Sequence, residues 1–169
     1  SYRLSRPILV DVSDSDDAHE AFLSALARGC DVATANKKPL ADNEEVYRTL
    51  NAAAAANGRV IRAEATVGAG LPVIDSLDIL VSTGDQLHRA QGCLSGTLGY
   101  LMSELEKGVP FSVAVRTAVK LGYTEPVPVA DLSGIDGARK ATILARLADL
   151  PSASKPVVLE GLVDSTHAG

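Results

Sequence analysis

No tryptophan occurs in this chain, and aromatic residues make up only 4% of it. A surface that stacks successive bases of single-stranded nucleic acid needs aromatic platforms, and too few are present to build one. Positive charge is not in excess either. Sixteen Lys and Arg stand against 21 Asp and Glu, a net of −5, which disfavours a phosphate backbone as partner. The two cysteines, Cys30 and Cys93, cannot by themselves make a disulfide framework or a four-ligand zinc site. Both lie among apolar neighbours and read as buried thiols. No apolar run approaches the ~20 residues of a membrane-spanning helix. Asp11, Asp14, Asp16 and Asp17 follow too soon after a short apolar stretch for a signal peptide. These absences point to a cytoplasmic protein with neither a nucleic acid nor a membrane as partner.

What is present is globular in kind. Hydrophobic residues at 46% with 22% charged suit one core or two small lobes. Pro7-Ile8-Leu9-Val10-Asp11-Val12 is a continuous apolar run of the kind found in buried parallel strands. Ser13 or Ser15 is placed to cap a helix through about Arg28, with Ala18, Phe22, Ala25 and Leu26 facing inward. Gly29 stops it, and Cys30 to Ala35 reads as the next strand. An alanine-rich helix from about Ala41 to Ala56 precedes a third strand, Arg59 to Glu64. This β-α-β-α-β order predicts right-handed crossovers and part of an open parallel sheet. The strand, glycine-rich turn and helix that open a dinucleotide-binding domain do not precede Ser1, so the chain reads as starting partway through such a domain.

Beyond Pro72 the pattern changes. Helices are expected at about Leu71–Val81, Thr97–Lys107, Ser112–Leu121 and Ile135–Leu150, the last capped by Ser133. Strands are expected over Gln86–Gly92 and Val157–Leu159. The expected fold is thus α/β: a partial Rossmann-like parallel sheet over residues 1–63, followed by an α+β domain over residues 64–169.

The densest chemistry lies between Gly122 and Lys140. Glu125 and Asp131 sit in a lead-in stiffened by Pro126 and Pro128, and Asp136 and Lys140 are one helical turn apart on one face. Alone, a D-x-x-x-K pair is an ordinary solvated bridge contributing about 0.2–0.5 kcal/mol. Together, three carboxylates and a lysine can hold an ammonium group while the lysine moves or steadies a proton. Gly68-Ala69-Gly70 invites comparison with G-x-G-x-x-G, but Val73 stands where the third glycine belongs and the preceding strand is the third of its unit, not the first. The dinucleotide fingerprint is therefore rejected there. Asn36-Lys37-Lys38 ends a presumed parallel strand at its carboxyl edge, where open α/β sheets place ligands.

Four blocks in order carry a family resemblance: Thr34-Ala35-Asn36-Lys37-Lys38, Glu64 through Pro72, Gly92-Cys93-Leu94-Ser95-Gly96-Thr97-Leu98-Gly99-Tyr100, and Gly122 through Lys140. From about Pro7 to about Val163 the chain resembles homoserine dehydrogenase, and the tail Val158–Val163 looks like the version fused behind an aspartate kinase. The resemblance implies NAD(P)-dependent interconversion of L-aspartate 4-semialdehyde and L-homoserine, on the route to threonine, isoleucine and methionine, in a homo-oligomer. It makes Lys140 the proton donor to the nascent alkoxide, with Asp131 orienting it or a bound water and Lys37 steadying the aldehyde side or the cofactor. Glu125 and Asp136 would hold the substrate's amino group, with Lys37 close by. Asn36 and Lys37 would border the NADP or NAD cofactor. Glu64, Val67, Ala69 and Leu71 would offer oxygen ligands, largely main-chain, to a monovalent cation (Na+ or K+).

The chain departs from the family at Val127 and at Val129-Ala130, where an Asp and then an Arg are usual. Three other readings compete with the enzyme: a non-catalytic substrate and dimerisation lobe, aspartate-semialdehyde dehydrogenase, and a substrate-binding or structural α/β module without chemistry. Aspartate-semialdehyde dehydrogenase needs a thiolate beside a histidine base, and Cys93 has no histidine motif to serve it; the module leaves four ordered motifs unexplained. In the enzyme, Glu125→Ala is expected to raise the KM for homoserine with little change in that for the cofactor; steady-state kinetics with an unchanged homoserine KM would remove Glu125 from the substrate site.

Overall fold

The computed structural model describes residues 5–124, 131–150, 153, 155 and 157–162. Their contacts divide the chain into two compact units, each discontinuous in sequence: Ser1–His88 with Thr142–Lys155, and Arg89–Ala141 with Pro156–Gly169.

The first unit is built on three parallel strands in the order β1 (Ile8–Asp11), β2 (Asp31–Thr34), β3 (Ile61–Arg62). Leu9 lies beside Val32, and Val32 beside Ile61. These three point to one face, where helices α1 (Ala18–Ala27) and α3 (Glu44–Ala56) lay Phe22, Leu26, Leu50 and Ala54 over them. Because side chains alternate along a strand, Ile8 and Val10 point the other way, and they are 60% and 66% exposed. Parallel sheets normally have both faces covered. Here one face of the sheet is bare among the described residues.

The inward stripe Ala18, Phe22, Ala25, Leu26 is buried as the periodicity predicts. Several boundaries differ from expectation. Neither Ser13 nor Ser15 caps α1. The Ser13 hydroxyl instead accepts the N–H of Ser15, and the Ser15 hydroxyl that of Asp17, so the loop tightens through serine turns and the helix starts at Ala18. The alanine-rich helix is α3, starting at Glu44 instead of Ala41, and a separate short helix, α2 (Lys38–Ala41), precedes it. Asn43 adopts an extended backbone and its side chain accepts the N–H groups of Glu45 and Val46, a local cap strong enough to break the run. Past β3, a 3₁₀ turn (Glu64–Thr66) leads to α4 (Val73–Ser82), whose Ile74 and Leu77 are buried. No helix among the described residues is long and apolar enough to cross a membrane.

In the second unit, α5 (Gly96–Glu106) and α6 (Phe111–Leu121) pack through Leu101, Ala114 and Ala118, with Leu132 closing the cluster. Small alanines on α6 let the two helices approach closely. Segments 86–92 and 157–159, expected as strands, run without strand pairing; the first has only Leu87 and Ala90 as apolar residues and finds no ladder to join. Helix α7 (Ile135–Leu147) begins where the Gly134 carbonyl accepts the N–H of Ala138, so the residue at its mouth is Gly134, one after the serine expected there. The division between units falls within α7, after Ala141. Cys93 is exposed and Cys30 partly so, against the expectation of buried thiols.

The segment 157–162 lies against the start of this helix region. The Leu162 N–H donates to the Leu132 carbonyl at 2.9 Å. A Cβ on Gly161 would stand 2.7 Å from the Ser133 carbonyl oxygen, closer than such atoms approach, so only glycine lets the two backbones meet. Gly161→Ala is accordingly expected to lower stability by about 1–3 kcal/mol through forced separation of these segments, read as a lower urea midpoint. An unchanged midpoint would show that the contact is dispensable.

Candidate active site

Two of the four sequence blocks meet in the second unit. Ser95 takes an extended backbone and its hydroxyl accepts the Leu98 N–H at 3.1 Å, capping α5 and fixing the Cys93–Ser95 approach to it. Lys140, on α7, reaches back to this approach. Its Nζ donates to the Leu94 carbonyl at 2.8 Å and lies 2.6 Å from Asp136 Oδ2. Both side chains of the pair are largely shielded, 17% and 14% exposed, unlike the open bridge that the spacing alone suggests. A charge-assisted bond in such surroundings is short and well aligned. Asp131 is buried, 5% exposed, beside buried Leu132 and Ser133. Glu125 lies outside the described residues. The Tyr123 carbonyl accepts the Thr97 hydroxyl, and the Tyr123 ring meets Tyr100 edge-on with centroids 5.0 Å apart, so the end of α6 is tied to α5 just before the acidic stretch.

The other two blocks belong to the first unit. Asn36 is 3% exposed at the carboxyl end of β2. Its backbone N–H donates to the Thr34 hydroxyl, its side-chain oxygen accepts the Lys38 N–H, and its amide nitrogen donates to the Ser15 carbonyl at 2.8 Å. Lys37 directly precedes α2. The Thr34 hydroxyl also donates to Asp11 Oδ2 at 3.2 Å. Burial pushes the Asp11 carboxyl up, but hydrogen bonds from Ser13, Thr34 and Asn36 together outweigh it and leave it below its ordinary range. Asp11 therefore stays ionised, and its stabilising contribution is whole above the usual carboxylate range and fades only as pH falls through its lowered value.

Glu64, expected to ligate a cation, has a structural task. Its two carboxylate oxygens accept the N–H groups of Ile74 at 3.1 Å and Asp75 at 2.8 Å, closing the N-terminus of α4 from a distance. Between them the chain turns through Gly68 and Ala69, both with positive φ. A Cβ on Gly68 would fall 2.4 Å from Val73 Cγ2. The Leu71 carbonyl accepts the Val73 N–H, while those of Val67 and Ala69 accept none among the described residues. Oxygens of this kind suit a hard monovalent cation.

Sequence reasoning named Lys38 only beside Lys37, with no task of its own, and overlooked Arg146. Lys38 is bound to Asp14 and Asp16, a tie signalled by the dense aspartates between β1 and α1. Arg146, in the last turn of α7, donates to the Leu40 carbonyl and lies 5.1 Å from the centre of the Tyr47 ring. Its spacing from those partners left no local signal.

An open parallel sheet with polar loops at its carboxyl edge is the frame of nucleotide-dependent α/β enzymes. The family model for homoserine dehydrogenase matches residues 72–168, and that for the homoserine dehydrogenase NAD binding domain matches residues 3–64. The chain belongs to the homoserine dehydrogenase family. It is 42% identical over 150 residues to homoserine dehydrogenase of Emericella nidulans, covering 86% of this chain and 41% of that protein. It is 38% identical over 159 residues to the bifunctional aspartokinase/homoserine dehydrogenase of Buchnera aphidicola, covering 94% of this chain and 20% of that one. A hyperthermophilic archaeal homoserine dehydrogenase in complex with NADPH superposes with a TM-score of 0.71 at 33% identity, over 83% of this chain and 43% of that chain. The chain thus spans a fifth to two fifths of the length of these curated relatives.

Removing the distant cap by Glu64→Ala is expected to cost about 0.5–2 kcal/mol of stability, as lost helix caps do. Thermal unfolding reads the loss, and a variant melting with the parent would show that α4 does not need the carboxylate.

Proposed function

We propose that this chain carries the substrate-binding and catalytic part of a homoserine dehydrogenase, with residues 64–169 as its substrate domain and residues 1–63 as part of its nucleotide-binding domain. The reaction moves hydride between C4 of NADP or NAD and the carbonyl carbon of L-aspartate 4-semialdehyde, giving L-homoserine. The observation that carries this reading is the Lys140 ammonium, fixed by Asp136 and the Leu94 carbonyl in a shielded setting.

A bound dinucleotide would supply the hydride; the chain must meet the charge that its transfer creates. As the aldehyde oxygen becomes an alkoxide it needs a proton or a positive charge beside it. An ammonium has three N–H donors. Two of Lys140's are used by Asp136 and Leu94, which fix its direction, and the third is the one assigned to the substrate oxygen. In homoserine oxidation the same nitrogen takes the hydroxyl proton. A carboxylate has about four acceptor positions, so Asp136 can hold Lys140 and the substrate ammonium together, with Glu125 as its partner. Asp131, buried close in sequence to both, orients the acid end of the site, and Asn36 and Lys37 border the cofactor at the carboxyl edge of β2. The carbonyls of Val67, Ala69 and Leu71 with Glu64 would seat a monovalent cation that holds the turn before α4.

We propose that the enzyme serves threonine, isoleucine and methionine synthesis, as a cytoplasmic homo-oligomer. In the full-length protein, Lys140→Ala is expected to lower kcat for homoserine oxidation about a hundredfold or more, the usual worth of a positioned proton donor, with NADPH affinity nearly unchanged. Nicotinamide absorbance follows turnover, and parent-like turnover in the variant would overturn the assignment.

A further inference from the structure

Two lysines stand side by side at the carboxyl edge of β2, and the structure gives the second a task distinct from the first. Lys38 Nζ donates to the Asp14 carbonyl at 2.7 Å and lies 3.2 Å from Asp14 Oδ2 and 2.8 Å from Asp16 Oδ1. Its side chain is only 16% exposed, whereas those of Asp14 and Asp16 are 89% and 83% exposed. The side chain is therefore laid back along the protein, and its ammonium meets the loop that leaves β1 at the surface. Isolated surface bridges contribute little. This one differs, because a main-chain carbonyl and two carboxylates share one cation, and a second tie, from Asn36 to the Ser15 carbonyl, runs beside it. Asp16 at its side holds the Lys38 ammonium above its ordinary range, so it keeps its charge through neutral and mildly alkaline pH.

The loop of residues 12–17 and the start of α2 leave the carboxyl ends of neighbouring parallel strands, the edge where open α/β sheets hold nucleotides. Four aspartates, Asp11, Asp14, Asp16 and Asp17, crowd that edge, and such a field repels a phosphate-bearing ligand. We propose that Lys38 is a positioning residue for the dinucleotide: it pins the β1–α1 loop to the start of α2 and cancels carboxylate charge there, leaving Lys37 for the substrate side. This rests on the dehydrogenase reading above.

The test compares Lys38→Met and Lys38→Arg with the parent in the full-length protein, by steady-state kinetics with NADPH and NADH and by hydrogen exchange of the amides of Ser13–Asp17. Losing a charged, hydrogen-bonded tie should raise the cofactor KM of Lys38→Met about tenfold. Its kcat and homoserine KM should stay near the parent's, and added salt should shrink the defect as the exposed aspartates are screened. The loop amides should exchange faster, and Lys38→Arg should recover both properties. An unchanged cofactor KM, or equal damage to kcat and both KM values, would overturn the proposal. Unchanged loop exchange in Lys38→Met would overturn it whatever the activity. A parent protein that turns over homoserine with neither cofactor would instead strike the dehydrogenase reading.

Discussion

A single ammonium, on Lys140, is held by a carboxylate one helical turn away and by a main-chain carbonyl 46 residues earlier in the chain. The second unit is organised so that these three atoms meet. Ser95 caps α5 and thereby fixes the strand-like approach that presents the Leu94 carbonyl. Tyr123 ties the end of α6 to α5, and Gly161 lets the segment 157–162 close over Ser133, two residues from Asp131. A lysine with one tether would sample several directions. With two of different chemistry it has one, and the proton transfer proposed for it would need direction before strength.

The first unit uses polar seams to the same end. Thr34, Asn36, Asp11 and Ser15 link the loops after β1 and β2 through hydrogen bonds that satisfy buried or half-buried groups. These contacts are short-range in space and join segments about twenty residues apart. They make the carboxyl edge of the sheet a shaped surface, which loops of this length would not be by themselves.

What the sequence made legible was periodicity and local chemistry. The buried stripe of α1, the parallel strand order and the Asp136–Lys140 pairing all follow from spacing that one element contains. What stayed hidden needed a partner from elsewhere. Glu64 as the cap of α4 depends on a turn through two positive-φ residues that folds the chain back by ten positions. The break between α2 and α3 was readable in Asn43 but was masked by the helix-forming residues on either side. Segment 157–159 carried strand-like composition without a ladder to pair with, whereas 86–92 had too few apolar residues to make a strand at all. At the site, Lys140 was found by its motif, yet its second tether, the Leu94 carbonyl, has no side chain to advertise it.

Arg146 ties the last turn of α7 to the Leu40 carbonyl across 106 residues of intervening chain. On a ribosome, which delivers about 5–20 residues each second, α2 and α3 therefore emerge well before the residue that completes them. During that interval the Tyr47 ring and the open end of α2 lack their cover. The first unit cannot finish folding as soon as its sheet is made; it must wait until residues 89–141 of the second unit have been synthesised. Completion of the first unit is thus timed by translation of α7.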